Sequence, residues 1–209
     1  MLHADDVFFF DQKLGWIISD DGDIPAGEAM IFKTSDGGRT WVSRQLEVKG
    51  AAEKLKFITP QKGLLIQHTT NEDRTRTVCN ILVSYDGGHS WRVLRAFNRM
   101  IRDLCAADED TFLVVGEGGF ISRTRDGGIT WKRSYTRSND CLNVIEFNRH
   151  GRGIAGGDFG LILVTEDAGK HWTRYNPHAP LDNVVDASFL DPDHAVLATS
   201  TAVFSVRFN

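Results

Sequence analysis

Four aspartates share one local setting. Asp36, Asp86, Asp126 and Asp167 each hold the third place of an eight-residue stretch: TSDGGRTW, SYDGGHSW, TRDGGITW and TEDAGKHW. A carboxylate among hydroxyls could act as a general acid or base, or hold a cation. The same pattern, [Ser/Thr]-x-Asp-x-Gly-x-[Thr/Ser]-Trp, also builds a turn. Asp and Ser/Thr side chains bond nearby backbone N–H groups, and glycine supplies positive φ. Trp41, Trp91, Trp131 and Trp172 then cover the turn with a large apolar ring. His171 departs at the hydroxyl position, and Ala168 replaces the first glycine of the fourth copy, so that first position reads as the more permissive. Seen this way the four carboxylates are structural.

Other groups are weaker candidates. Asp20, Asp21 and Asp23 alternate in a way that suits calcium, but the glycine and terminal Glu of an EF-hand loop are missing. They and Asp108-Glu109-Asp110 read as solvated loops. His3, His68, His89, His150, His171, His178 and His194 show no i,i+4 pairing and read as surface residues. Cys79, Cys105 and Cys141 lack a C-x-x-C pair and read as buried, reduced thiols. The glycine clusters at 116–119 and 156–160 are not followed by a helical pattern, which removes the phosphate-loop reading. No catalytic residue, metal or cofactor is expected.

The boxes need strands on either side. Apolar strands precede them at Met30–Lys33, Ile81–Val83, Phe120–Arg123 and Leu161–Val164, and new strands begin at each Trp. The aspartates are 50, 40 and 41 residues apart, a spacing suited to a four-stranded propeller blade, with an insertion in the first interval. A fifth repeat lacks the box but keeps three strands, at Val184–Leu190, Ala195–Thr199 and Ala202–Phe208. The expectation is an all-β, single-domain β-propeller over residues 1–209. Its five blades fall near 5–45, 53–95, 100–136, 141–176 and 183–209, the last incomplete.

These boxes resemble the BNR or Asp-box repeats of sialidases, sortilin-type receptors and photosystem II assembly factors. The likeness is nearest to the last group and its bacterial relatives. It is carried by VVGEGGFISRTRDGGITW (Val114–Trp131), IAGGDFGLILVTEDAGKHW (Ile154–Trp172) and LGWIISDDG (Leu14–Gly22). The resemblance implies a propeller and leaves function open, since such boxes occur in enzymes and binders. Assembly factors of this kind are seven-bladed and carry a targeting leader. This chain has material for about five blades, and MLHADDVFFF has no basic n-region before a long apolar stretch. A cytosolic protein is therefore expected, unless a leader has been removed. Sialidases need a Tyr/Glu nucleophile pair, an arginine cluster and an Arg-Ile-Pro motif. That motif is absent, and Tyr85, Tyr135 and Tyr175 are misplaced in a box or at the ends of outer strands.

The charge balance narrows the partner. A formal net charge of -4 argues against nucleic acid, and no apolar run is long enough to insert in a membrane. A protein partner is expected. In a blade, the 2–3 turns and the blade-to-blade links share one end, and the boxes emerge at the other. The long 2–3 loops DDGDIPAGE (Asp20–Glu28) and QHTTNEDRTRT (Gln67–Thr77) fall at the first end in blades one and two. The link RAFNRMIR (Arg95–Arg102) joins arginines with Phe97 and Met100, an interface-like mixture. Asp23, Glu28, Asp73, Arg74, Arg76, Arg95, Phe97, Arg99 and Arg102 are the expected contacts. The expected role is a non-enzymatic scaffold, as an assembly factor or a toxin-neutralising (immunity-type) partner. Glycan binding or a sialidase-like hydrolase is the alternative. A monomer is expected, with a homodimer as the other way to cover the edge of the last blade.

Overall fold

A computed structural model of the chain describes residues 4–19, 28–70, 77–176 and 182–208. They form two compact units, residues 1–100 and 101–209. The first holds two four-stranded antiparallel sheets, β1(Asp6–Phe9) to β4(Val42–Lys49) and β5(Ala51–Phe57) to β8(Arg92–Phe97). Their middle strands are β2(Gly15–Ser19), β3(Glu28–Thr34), β6(Gly63–Thr70) and β7(Thr77–Ser84). The second holds three sheets. They are β9(Ile101–Ala106), β10(Phe112–Gly116), β11(Phe120–Thr124), β12(Lys132–Ser134); then β13(Leu142–Phe147), β14(Gly153–Gly157), β15(Ile162–Thr165), β16(Thr173–Arg174); then β17(Val184–Asp191), β18(His194–Thr199), β19(Val203–Arg207). The architecture is the all-β propeller expected from the repeat, with five blades and a three-stranded last one.

Alternation alone misplaces the ends of the outer strands. β4 continues to Lys49 and β8 to Phe97, each past a bulge in its pairing. β8 is exposed at most positions, so its hydrophobic pattern marks no terminus. The segment Arg95–Arg102 is consequently not a link. Arg95 and Phe97 belong to β8, Arg102 to β9, and only 98–100 connects.

A second repeat lies beneath the boxes. The last residue of the first strand faces the first of the second as a large–small pair in blades one, two and four, Phe9/Gly15, Phe57/Gly63 and Phe147/Gly153, and blade five has Phe189/Ala195 just inside its strand ends. Blade three reverses the pair as Ala106/Phe112, keeping one ring per blade on the other strand. The glycine is obligatory where it occurs: a Cβ at Gly153 would lie 2.4 Å from the Phe147 ring. The box Trp packs edge-on against that ring in three blades, with centroids 6.1, 6.1 and 5.9 Å apart.

Between blades of one unit the packing is apolar. Trp16 stacks on Phe57 at 3.5 Å and donates its indole N–H to the Gly87 carbonyl at 3.1 Å. In the second unit Leu113, Ile121, Ile145 and Leu163 form one core, and Val144, Ile162, Leu197 and Val206 the next. Carboxylates staple neighbouring first strands. Asp6 accepts the Leu55 N–H, and buried Asp103 accepts that of Ile145, both at 2.8 Å.

Candidate functional site

The box carboxylates are saturated. In the first box Asp36 accepts hydrogen bonds from the Thr34 and Thr40 hydroxyls and the Thr40 N–H, at 2.6–2.9 Å. Thr34 Oγ1 also accepts the Gly38 N–H. The second and third boxes repeat this set. In the fourth, His171 Nδ1 takes the place of the hydroxyl at 2.6 Å from Asp167, so the departure in sequence keeps the bond. The bonds from Thr40 and Thr34 hold the Asp36 carboxyl down at about 2, and those from Thr130 and Thr124 do the same for Asp126. At Asp86 and Asp167 partial burial pushes the carboxyl up. The Ser90 and Ser84 hydroxyls, and the His171 N–H and ring, more than offset it; Asp167 lies at about 2. Such groups are locked anions, unsuited to proton transfer near neutral pH.

Each box also braces its own blade. The N–H of Gly37, Gly87, Gly127 or Ala168 donates to a carbonyl of the 1–2 turn, Lys13, Gln61, Asp110 or Gly151. Blade five has no box, and the Phe208 N–H fills this place on the Asp193 carbonyl. The 1–2 turns carry a capping side chain in all five blades: Asp11, Thr59, Asp108, Asn148 and Asp191. Asp108 is thus a turn cap, which absorbs the Asp108-Glu109-Asp110 cluster.

The fourth box differs in two ways. Ala168 adopts φ 56, so its position still demands left-handed backbone and is not permissive. In the other boxes the Trp N–H donates to the box glycine carbonyl, at 3.0, 3.2 and 3.0 Å. Here the Gly169 carbonyl accepts the Ser134 hydroxyl instead, at 3.3 Å, and the Trp172 Nε1 is buried without an acceptor. An orphaned buried donor costs about 1–3 kcal/mol.

The opposite ends of the strands look different. In the second unit the 2–3 turn of blade four presents Phe159 80% exposed at φ 53. It is held by the Phe159 N–H to Asn183 Oδ1 (3.0 Å), the Asp158 N–H to the Cys141 carbonyl (2.9 Å) and Asn143 Nδ2 to Asp158 Oδ1 (2.9 Å). The link from blade three to four is sealed to the neighbouring 2–3 turn by the Gly119 N–H on Asp140 and Thr136 Oγ1 on Gly119. That link carries Tyr135, 82% exposed, and Arg137 at φ 54. Arg102 lies here too, 3.9 Å from Glu117 and beside Cys141. Burial pushes the Cys141 thiol up, against the pull of Arg102, which leaves it a half-buried neutral thiol.

Of the expected contacts, Asp23, Asp73, Arg74 and Arg76 lie outside the described residues, and so does the side chain of Glu28, whose backbone opens β3. Arg95 is exposed, with its guanidinium 5.8 Å from the Phe97 ring. Phe97 is buried and is no surface anchor. Arg99 is half-buried in the connection, and Arg102 joins the cluster just described. Phe159 and Tyr135 were missed. The signal was present: an aromatic inside GGDFG cannot reach a core from a two-strand turn.

One histidine departs from the surface reading. His68 is 6% exposed, bonds Glu53 at 2.5 Å and faces Cys79 across β6 and β7. Burial pushes its imidazole down, but Cys79 and Glu53 more than offset this and raise it to about 10. Cys79 is fully buried, so the trio offers no accessible nucleophile. Among the described residues no cluster of His, Cys, Asp and Glu could hold a metal ion, and no helix is long and apolar enough to cross a membrane.

Residues 87–206, more than half of the chain, match the family described as photosynthesis system II assembly factor YCF48. The chain belongs to that family. It is similar to the photosystem II assembly lipoprotein Ycf48 of Prochlorococcus marinus (strain MIT 9312), at 23% identity over 182 residues. The match covers 83% of this chain and 52% of the relative, so the chain spans about half the relative's length. Among solved structures it is similar to YCF48 bound to D1 peptide (17% identity, TM-score 0.50, 99% of this chain and 78% of that one). It is also similar to the GH74 enzyme of Niastella koreensis (14%, TM-score 0.71, 93% and 33%). At these identities the structures show the fold alone. The relative's description as a lipoprotein overturns the expected cytosolic location. The expectation rested on the composition of the first ten residues, which does not report whether a protein is held at a membrane.

Proposed function

We propose that this YCF48-family chain is a non-enzymatic scaffold that grips a polypeptide partner during the assembly of a larger complex. The carrying observation is Phe159, an exposed aromatic held in left-handed backbone by a turn with three hydrogen bonds, one of them to the carbonyl of Cys141, the residue beside Arg102. Strain held in place at an exposed aromatic is characteristic of a binding site. Support comes from the family, and from the relative whose solved structure contains a D1 peptide. Arg95, Arg99 and the inserted loops with Asp23, Glu28, Asp73, Arg74 and Arg76 are further proposed contacts. Nothing in the comparisons favours toxin neutralisation.

A pull-down from the native host with wild type and an Arg99→Glu, Arg102→Glu double variant tests the surface. The variant is expected to lose partners; retention of all of them refutes the choice of residues. Glycosidases share the fold, so a panel of fluorogenic glycosides tests the enzyme reading. No turnover is expected, and turnover would overturn the assignment.

A further inference from the structure

Beside the fourth box lies a groove of about 660 Å³, between the end of β12 with its following link and the box with β16. Its size suits a ligand rather than a solvent dimple. Arg137, Lys170 and Arg174 line it, all exposed, and no Asp or Glu is among the lining residues. The fourth basic group, His171, is already matched by Asp167. Three permanent cations in a carboxylate-free lining run against a chain whose net charge is -4. The lining hydroxyls of Ser134, Thr136, Ser138 and Thr173 are engaged within the protein, so they do not answer this charge.

Two further features select among anions. Tyr135 and Trp172 give the groove an aromatic wall, which suits the apolar parts of a side chain or backbone. The Trp172 indole N–H is buried and unavailable to a ligand, so only the ring itself faces the groove. Among the described residues β16 also offers an open edge. The Thr173 and Tyr175 positions pair inward to β15, so by antiparallel alternation the Arg174 N–H and C=O point away from it. Arginine forks, an aromatic wall and a strand edge together fit an extended chain bearing carboxylates.

We infer that this groove binds an extended acidic peptide segment, with Arg137, Lys170 and Arg174 taking its carboxylates and the Tyr135 and Trp172 rings packing against its apolar parts. The inference rests on the scaffold reading and specifies the chemistry of the partner.

The test uses the full chain and a fluorescein-labelled poly-glutamate peptide, read by anisotropy, with a Gly/Ser peptide and polygalacturonate as comparisons. Wild type is expected to bind poly-glutamate in a salt-sensitive way. An Arg137→Glu, Lys170→Glu, Arg174→Glu variant is expected to bind at least about tenfold more weakly. Peptide should also shift the tryptophan emission of wild type and not that of Trp172→Phe. No binding, equal binding by the triple variant, an emission shift that survives Trp172→Phe, or binding of polygalacturonate alone overturns the inference. Capture of the native partner separates the two readings. If the triple variant keeps that partner while Arg99→Glu, Arg102→Glu loses it, the scaffold stands and the groove falls.

Discussion

The two ends of the strands in the second unit use the same rare backbone for opposite purposes. At the box end, left-handed residues are mostly glycines, and the polar side chains spend their bonds on one another. At the other end, left-handed backbone is carried by Gly118, Gly119 and Gly160 and also by Arg137 and Phe159, whose side chains stand in solvent. A turn that satisfies its own donors and acceptors stabilises a blade. A turn that fixes a strained, exposed aromatic is available to a partner. The fourth box lies between these extremes: it keeps the carboxylate network but leaves Ala168 strained and the Trp172 N–H unanswered.

Gly169→Ala gives the largest expected effect. A Cβ there would lie 2.4 Å from Leu113 Cδ2, at φ 77. Overpacking and left-handed strain together should cost about 2–4 kcal/mol in urea unfolding. Phe159→Ala should leave stability within about 0.5 kcal/mol, since an exposed ring is lost and nothing buried changes. Equal losses at both positions would erase the distinction between the two ends.

Acid titration comes next. The box aspartates have folded pKa values below the ordinary carboxylate value, so their contribution is full above about pH 4. It is lost as pH falls through their folded values near 2. Thermal unfolding of wild type should steepen its decline with pH across that window. Asp126→Asn should start lower and decline less, and parallel curves would deny the carboxylates this role.

The smallest effect sharpens the contrast within the boxes. Ala168→Gly should raise stability by up to about 1 kcal/mol in the same denaturation experiment, because glycine accepts φ 56 without a Cβ penalty. A loss of stability would show that Ala168 contributes packing instead.

The sequence already contained the blade count, the box turns and the missing fourth strand of the last blade, because the box recurs four times and the strand pattern five. It did not disclose the reversed Ala106/Phe112 pair, which is apparent only once register is known. The candidate site was less legible. Arg102 was found from composition, but Phe97 belongs to a strand that continues past a bulge, and its ring is buried. Phe159 was legible as a turn aromatic, but its left-handed backbone is visible only in the structure, and Tyr135 had been weighed only as the end of an outer strand.

The most direct test of the division between scaffold and binding ends compares three folded proteins in capture from the native host: wild type, an Arg102→Glu, Phe159→Ala variant, and Asp126→Asn. The loop variant should lose the partner that wild type captures, and Asp126→Asn should keep it. Loss of the partner by Asp126→Asn with retention by the loop variant would contradict the assignment of the two ends.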